Sequence, residues 1–246
     1  MGNILARKRT AKKRPKNIDD KLLFNEENEI DRTQVEHHMY RTLWGGNFLA
    51  PVRDILVKGD AIVLDFGDLN GSLPFGDNQF DFVHTRFKYL NYTKEQWEKK
   101  VVKELVRVLK PGGWIEMFEL ECDGINNGPI SKHYIQLFRE AALKKNIDPD
   151  LVFHLPGILA STEGIDSSTI CHASKVVPMG SWGGKIGELV QHNTTEFVRK
   201  INVVLRMPET KTEDLVAQQI EELNYYKTSI RMHKFYARKA FTSRDC

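Results

Sequence analysis

The sequence predicts an α/β fold built on a parallel sheet, and three observations carry that expectation. Ala61–Phe66 (AIVLDF) is a short, unbroken apolar run ending in an acid, the pattern of a buried parallel strand. Phe80–His84 (FDFVH) reads as a second strand. Between this run and Trp114–Leu120 (WIEMFEL) lies an amphipathic helical stretch, so strand, crossover helix and strand follow as a right-handed βαβ unit.

The elements follow in order. From Asp31, Val35, His38, Met39, Leu43 and Trp44 recur at three and four, which predicts a helix closed by Gly45-Gly46. A second helix is expected over residues 48–58, with Pro51 in its first turn. Gly59-Asp60 turns the chain into AIVLDF, and residues 67–78 (GDLNGSLPFGDN) read as loop. Thr93, with Gln96 three residues later, is a capping box. Trp97, Val101, Val102, Leu105, Val108 and Leu109 form the stripe of the helix it opens, and Lys110-Pro111-Gly112-Gly113 stops it. Beyond the third strand, helices are expected at 130–145, 150–160, 184–204 and 212–226, and strands at 168–177 and Met232–Lys239.

Composition narrows the class. The chain has 246 residues, 41% hydrophobic and 28% charged, which excludes disordered, collagen-like and disulfide-scaffold proteins. No apolar run approaches the ~20 residues of a spanning helix, and no apolar segment follows the start as in a secretory signal. Three scattered cysteines without a CxxC fit a reducing compartment, cytoplasmic or nuclear, and predict no zinc cluster. The net charge of +3 is uneven: Arg7, Lys8, Arg9, Lys12, Lys13, Arg14 and Lys16 hold seven positive charges, and the rest of the chain carries −4. Residues 1–18 therefore read as a basic, disordered tail on a domain over 19–246 that offers no nucleic-acid face. Three readings stand for Arg7–Lys16: a solubilising arm, a nuclear import contact, or the basic half of a membrane-surface anchor with Gly2 myristoylated. Ala6 departs from the Ser or Thr that acylation prefers.

Two stretches, LPFGDNQFDFVHTRF and KELVRVLKPGGWIEMFE, resemble the motifs around strands four and five of class I S-adenosylmethionine-dependent methyltransferases. The upstream NEIDRTQVEHHMYRTLWGGNFLAPVR is similar to the same region of a fungal branch of that superfamily, related to regulators of secondary metabolism. The resemblance spans about residues 26–240 and implies a Rossmann-like sheet with helices on both faces, S-adenosyl-L-methionine as cofactor, and a small-molecule or protein methyl acceptor. It also exposes a gap. The family continues its first strand as a D-x-G-x-G-x-G loop, then a helix, a second strand with a ribose-binding acid, another helix and a third strand. Here five residues separate Gly67 from Leu73, where ~40 more would be needed at ~30 residues per βαβ unit. The sheet is thus expected to be abbreviated, lacking the family's second and third strands, with AIVLDF as an exposed edge open to a dimer contact.

Ligands of open α/β sheets sit at the carboxyl ends of the strands. The resemblance accordingly places the cofactor at Asp65, Gly67, Leu73, His84, Thr85 and Arg86, without a ribose acid, since Asp68 is too near the first strand. Methyl transfer from a sulfonium is a displacement governed by position and desolvation, so no catalytic base is named and no metal is needed. Asp81 precedes its strand and reads as structural; His37 and His38 read as core or surface histidines. Trp44, Trp97 and Trp114 read as core aromatics, and Trp182-Gly183-Gly184 as a turn.

Overall fold

The computed structural model describes residues 37, 39–69 and 71–241. The basic tail, Gly2, residues 19–30, the start of the helix expected from Asp31, and His38 lie outside them. The described chain forms two compact units: one holds 123–136, 177–230 and the N-terminal residues to Asn47; the other holds 48–122, 137–176 and 231 onward.

The first unit is helical. Residues 39–44 form α1, which buries Met39, Tyr40 and Trp44, and Gly45 ends it at φ 70°. The long helices Gly184–Val204 (α6) and Glu209–Tyr225 (α7) are joined by Arg199, whose guanidinium forks onto Glu213 at 2.7 and 2.8 Å. Glu222 of α7 accepts the N–H groups of Ile130 and Ser131, capping the first turn of Pro129–Lys144 (α4).

The second unit carries most of the sheet. Its strands are Val63–Phe66 (β1), Phe80–Arg86 (β2), Leu109–Leu120 (β3), Ile165–Pro178 (β4) and Ser229–Lys239 (β5), in the order β1-β2-β3-β5-β4. β1, β2 and β3 run parallel and β5 runs antiparallel to β3. The alternation of side chains divides this sheet into two faces. Leu64, Phe66, Val83, Ile115, Met117, Phe235 and Ala237 lie on one face, against the helix over residues 94–108 (α3) and against Leu155–Ser161 (α5). Helix α3 runs through Lys94–Gln96, a π turn Trp97–Val101, and Val102–Val108. Val63, Phe82, Trp114 and Tyr236 lie on the other face, against Ala50, Val52 and the short helix Arg53–Lys58 (α2). Helices thus cover both faces of this unit's sheet.

Local chemistry accounts for these elements. The Thr93–Gln96 capping box is present in both directions, at 3.2 and 2.8 Å. Lys239 closes the other end of α3, donating to the carbonyls of Val106 and Leu109 at 2.7 Å each. Pairing with β2 jumps from Leu109 to Trp114, so Lys110–Gly113 arch out of the strand. Gly113 is required there: a Cβ would stand 2.9 Å from the carbonyl oxygens of Asp81 and Lys110.

Two expected elements come out shorter. The helix expected over 48–58 begins only at Arg53, because the Leu49 and Ala50 N–H groups donate to Glu116 and Val52 turns back on Ala50. AIVLDF shortens to Val63–Phe66 and only Phe66 is buried, because among the described residues β1 ends the sheet with a strand neighbour on one side.

Candidate functional site at the carboxyl ends of the strands

β1 and β2 end side by side, with Asp65 in register with His84 and Phe66 with Thr85. Asp65 and His84 therefore share a face, and their side chains meet at 3.6 Å, Oδ1 to Nδ1. Asp65 is 85% exposed, whereas His84 is 13% exposed beneath the ring of Phe48, 5.1 Å away and edge-on. The imidazole holds the Asp65 carboxyl below the usual range, and the charges of Arg86 and Lys88 act in the same direction. The result is an ionised, solvent-facing carboxylate at a strand end, set among cationic side chains.

Gly67 follows directly. A Cβ built there meets nothing within 4 Å, so its backbone is open to an approaching ligand. Thr85 is the exception among the strand-end residues: its side chain is fully buried on the opposite face, with the core. Arg86 is half-buried with its guanidinium 5.9 Å from the Phe87 ring. Leu73 is tied to α3 instead: Glu104 accepts its N–H at 2.6 Å, and Arg107 donates to its carbonyl at 3.3 Å. Arg107 also binds Glu104, Asp77 and the Phe75 carbonyl, so one guanidinium staples the 73–77 loop to the helix. Asp68 is engaged locally, by the Tyr92 hydroxyl and by the Leu69 N–H at 2.9 Å, which leaves it occupied as a hydrogen-bond acceptor. Asp81 binds Lys110 at 2.8 Å and the Ile62 N–H at 2.8 Å, as its structural reading requires.

The structure adds residues that sequence spacing did not single out. Glu116 of β3 is fully buried; one oxygen accepts the Leu49 and Ala50 N–H groups at 2.7 Å each, and the other accepts Lys234 Nζ at 3.0 Å. This anchors the segment that lays Phe48 over His84. Glu119, also fully buried, accepts the Lys88 N–H at 2.9 Å and fixes the turn after β2. Burial pushes its carboxyl up to about 8. Phe87 at that turn adopts φ 54°, a conformation that costs a bulky residue ~1–3 kcal/mol and tends to occur at functional sites. A charged residue inside an apolar strand, WIEMFEL, was the one signal that could have marked Glu116 and Glu119.

Residues 55–113, which run from α2 into β3, match the methyltransferase domain family. A 64-residue stretch is 39% identical to the N-methyltransferase verN of Clonostachys rogersoniana, covering 26% of this chain and 22% of that protein. The chain thus spans about a fifth of the length of that curated relative. Among solved structures, phosphoethanolamine N-methyltransferase 2 of Haemonchus contortus, in complex with phosphomonomethylethanolamine and S-adenosylhomocysteine, aligns at 18% identity and a TM-score of 0.36. The alignment covers 68% of this chain and 34% of that one. The YcgJ protein of Bacillus subtilis aligns at 12% identity and a TM-score of 0.37, covering 70% and 68%.

Proposed function

We infer that this chain, whose residues 55–113 match the methyltransferase domain family, is a class I S-adenosylmethionine-dependent methyltransferase whose cofactor lies across the carboxyl ends of β1 and β2. The observation that carries this reading is the pairing of exposed, ionised Asp65 with the open backbone of Gly67 and the adjacent His84. S-adenosyl-L-methionine, the family's cofactor, carries an ammonium and a sulfonium cation, and an exposed carboxylate suits either charge or a hydroxyl donor. Arg86 contributes from the next position of β2 on the same face, whereas Thr85 shapes the core beneath. The methyl acceptor is a nucleophile of a small molecule or a protein.

The residues fit the cofactor only in part. Asp68 is held by Tyr92 and Leu69, and among the described residues no strand is assigned between β1 and β2. That favours a second reading, in which the scaffold serves as a non-catalytic binding module or belongs to a product from which a segment after Gly67 has been lost. On either reading the basic segment Arg7–Lys16 would direct the chain to a nuclear import receptor or, with Gly2 acylated, to a membrane surface.

Titration calorimetry of the full chain with S-adenosylmethionine and S-adenosylhomocysteine separates the two. A micromolar dissociation constant, weakened about tenfold by Asp65→Ala through loss of a charge-assisted contact, supports the enzyme. No heat at millimolar ligand, from a chain shown folded by circular dichroism, supports the non-catalytic module.

A further inference from the structure

A buried ion pair is weak evidence for stability, because an apolar pair of similar volume usually serves as well. Glu116 and Lys234 form such a pair in the core, 0% and 2% exposed, with Oε1 3.0 Å from Nζ. The pair does one thing that an apolar pair cannot. Glu116 Oε2 accepts the N–H groups of Leu49 and Ala50, at 2.7 Å each. Those donors lie in residues 48–52, a strap outside any helix or strand, where no ladder or helical turn takes them. An ionised acceptor makes both bonds short and strong. Lys234 supplies the counter-charge and holds the other oxygen, which leaves Oε2 to the strap.

The strap crosses the candidate site. Asp65 is in register with His84, and His84 with Glu116, so the three form one row across β1, β2 and β3. Residues in register share a face, here the one that carries Val63, Phe82 and Trp114. Ala50 and Val52 are buried against Phe82, and the Val52 N–H turns back to the Ala50 carbonyl at 2.7 Å. Phe48 begins the strap, edge-on to Phe82 at 4.7 Å and to His84 at 5.1 Å. The His84 side chain is 13% exposed beside this ring, whereas neighbouring Asp65 is 85% exposed.

We propose, on the reading that S-adenosyl-L-methionine binds at Asp65, Gly67 and His84, that Glu116 is a positioning residue of that site: through Leu49 and Ala50 it pins Phe48 over His84. The pinned ring keeps most water off the imidazole and holds it against Asp65, so the carboxylate is the group that faces a ligand. The site then has its binding shape before the cofactor arrives, and less freedom is lost on binding. Glu116 is sealed in the core and acts only through Phe48. Its strap partners are 67 and 66 residues away in sequence and Lys234 is 118 away, which hid the arrangement from any spacing motif.

Two double variants separate position from stability. Glu116→Met/Lys234→Met fills the core with apolar side chains of similar length and should keep the fold, but it takes the acceptor away from Leu49 and Ala50. Glu116→Gln/Lys234→Met also removes both charges and keeps a carbonyl oxygen for those N–H groups. Phe48→Ala removes the ring and leaves the ion pair intact, so it decides the matter even if the double Met chain does not fold.

Each full-length chain, shown folded by circular dichroism, is titrated by calorimetry with S-adenosylmethionine and S-adenosylhomocysteine. Its His84 is also carbethoxylated with diethyl pyrocarbonate, the rate being followed by peptide mass. The double Met variant and Phe48→Ala should both bind about tenfold more weakly, the worth of one well-placed polar contact, and His84 should react severalfold faster in each. The Gln variant should stay close to the parent in both readouts. Parent-like affinity in the double Met variant or in Phe48→Ala, or an unchanged His84 rate in either, would overturn the proposal alone. A Gln variant as impaired as the double Met one would overturn it too, by showing that the charge rather than the bonds to the strap matters. No binding by the parent chain would overturn it together with the cofactor reading.

Discussion

Lys234 and Glu116 are both fully buried, and each is the other's counter-charge. Lys234→Met should therefore cost about 3–5 kcal/mol, because it strands a carboxylate in the core. Chemical denaturation would show a lower midpoint with an unchanged slope. Glu119 poses the opposite problem, a carboxyl that burial keeps protonated up to about 8. Above about 4.5 the unfolded chain has released this proton and the folded chain has not, so the folded state binds more protons across that window. Its contribution to stability should thus be greatest below about 4.5 and fall as pH rises towards 8. Melting temperatures measured from pH 5 to 8 should decline in the parent and decline less in Glu119→Gln. An equal decline in both would assign the pH dependence to other groups. Tyr89 is a third buried case: its hydroxyl has no hydrogen-bond partner among the described residues, and burial pushes its ionisation up. Tyr89→Phe should be neutral or stabilising by about 1 kcal/mol, since it removes a polar atom that folding strips of water.

Helix α3 shows what an element owes to local chemistry. Its capping box, apolar stripe and glycine stop all lie within a few residues of one another, so the sequence shows where it begins and ends. Thr93→Ala should cost about 1 kcal/mol by freeing the Gln96 N–H, a change readable by thermal unfolding. The other helices and strands of the second half were legible for the same reason, since periodicity is a local property. Legibility failed where a distant residue decides the backbone. Residues 49 and 50 leave the helical path because Glu116, more than sixty residues on, takes their N–H groups. The same limit applies to the candidate site. Asp65, Gly67 and His84 were readable as strand ends, but strand alternation sends Thr85 to the core, and the loop's bonds to α3 draw Leu73 away. Glu116 carried only the faint mark of a charge inside an apolar strand, and its partner Lys234 lies 118 residues further on.

At the scale of the molecule, the sheet order leaves two edges, β1 and β4. β4 is long, and it carries Asp166 and Lys175 along a run rich in serine and threonine, the kind of polar edge that resists pairing with another chain. β1 has only four residues, and its flank exposes Ile62 and Val57 at 48% and 77%. A second copy of the chain is the occupant proposed for that edge, because an apolar strand end with a neighbour on one side offers free backbone to another like it. Sedimentation should then show a concentration-dependent dimer, and Ile62→Lys should return it to monomer without lowering the melting temperature. A parent chain that stays monomeric at about 100 µM, well above ordinary micromolar self-association, would mean that shortness alone protects β1. Cofactor binding sharpens the distinction. Asp65 lies within β1 itself, so if copies pair there, S-adenosylmethionine and dimerisation should compete, and saturating ligand should shift the sedimentation profile towards monomer.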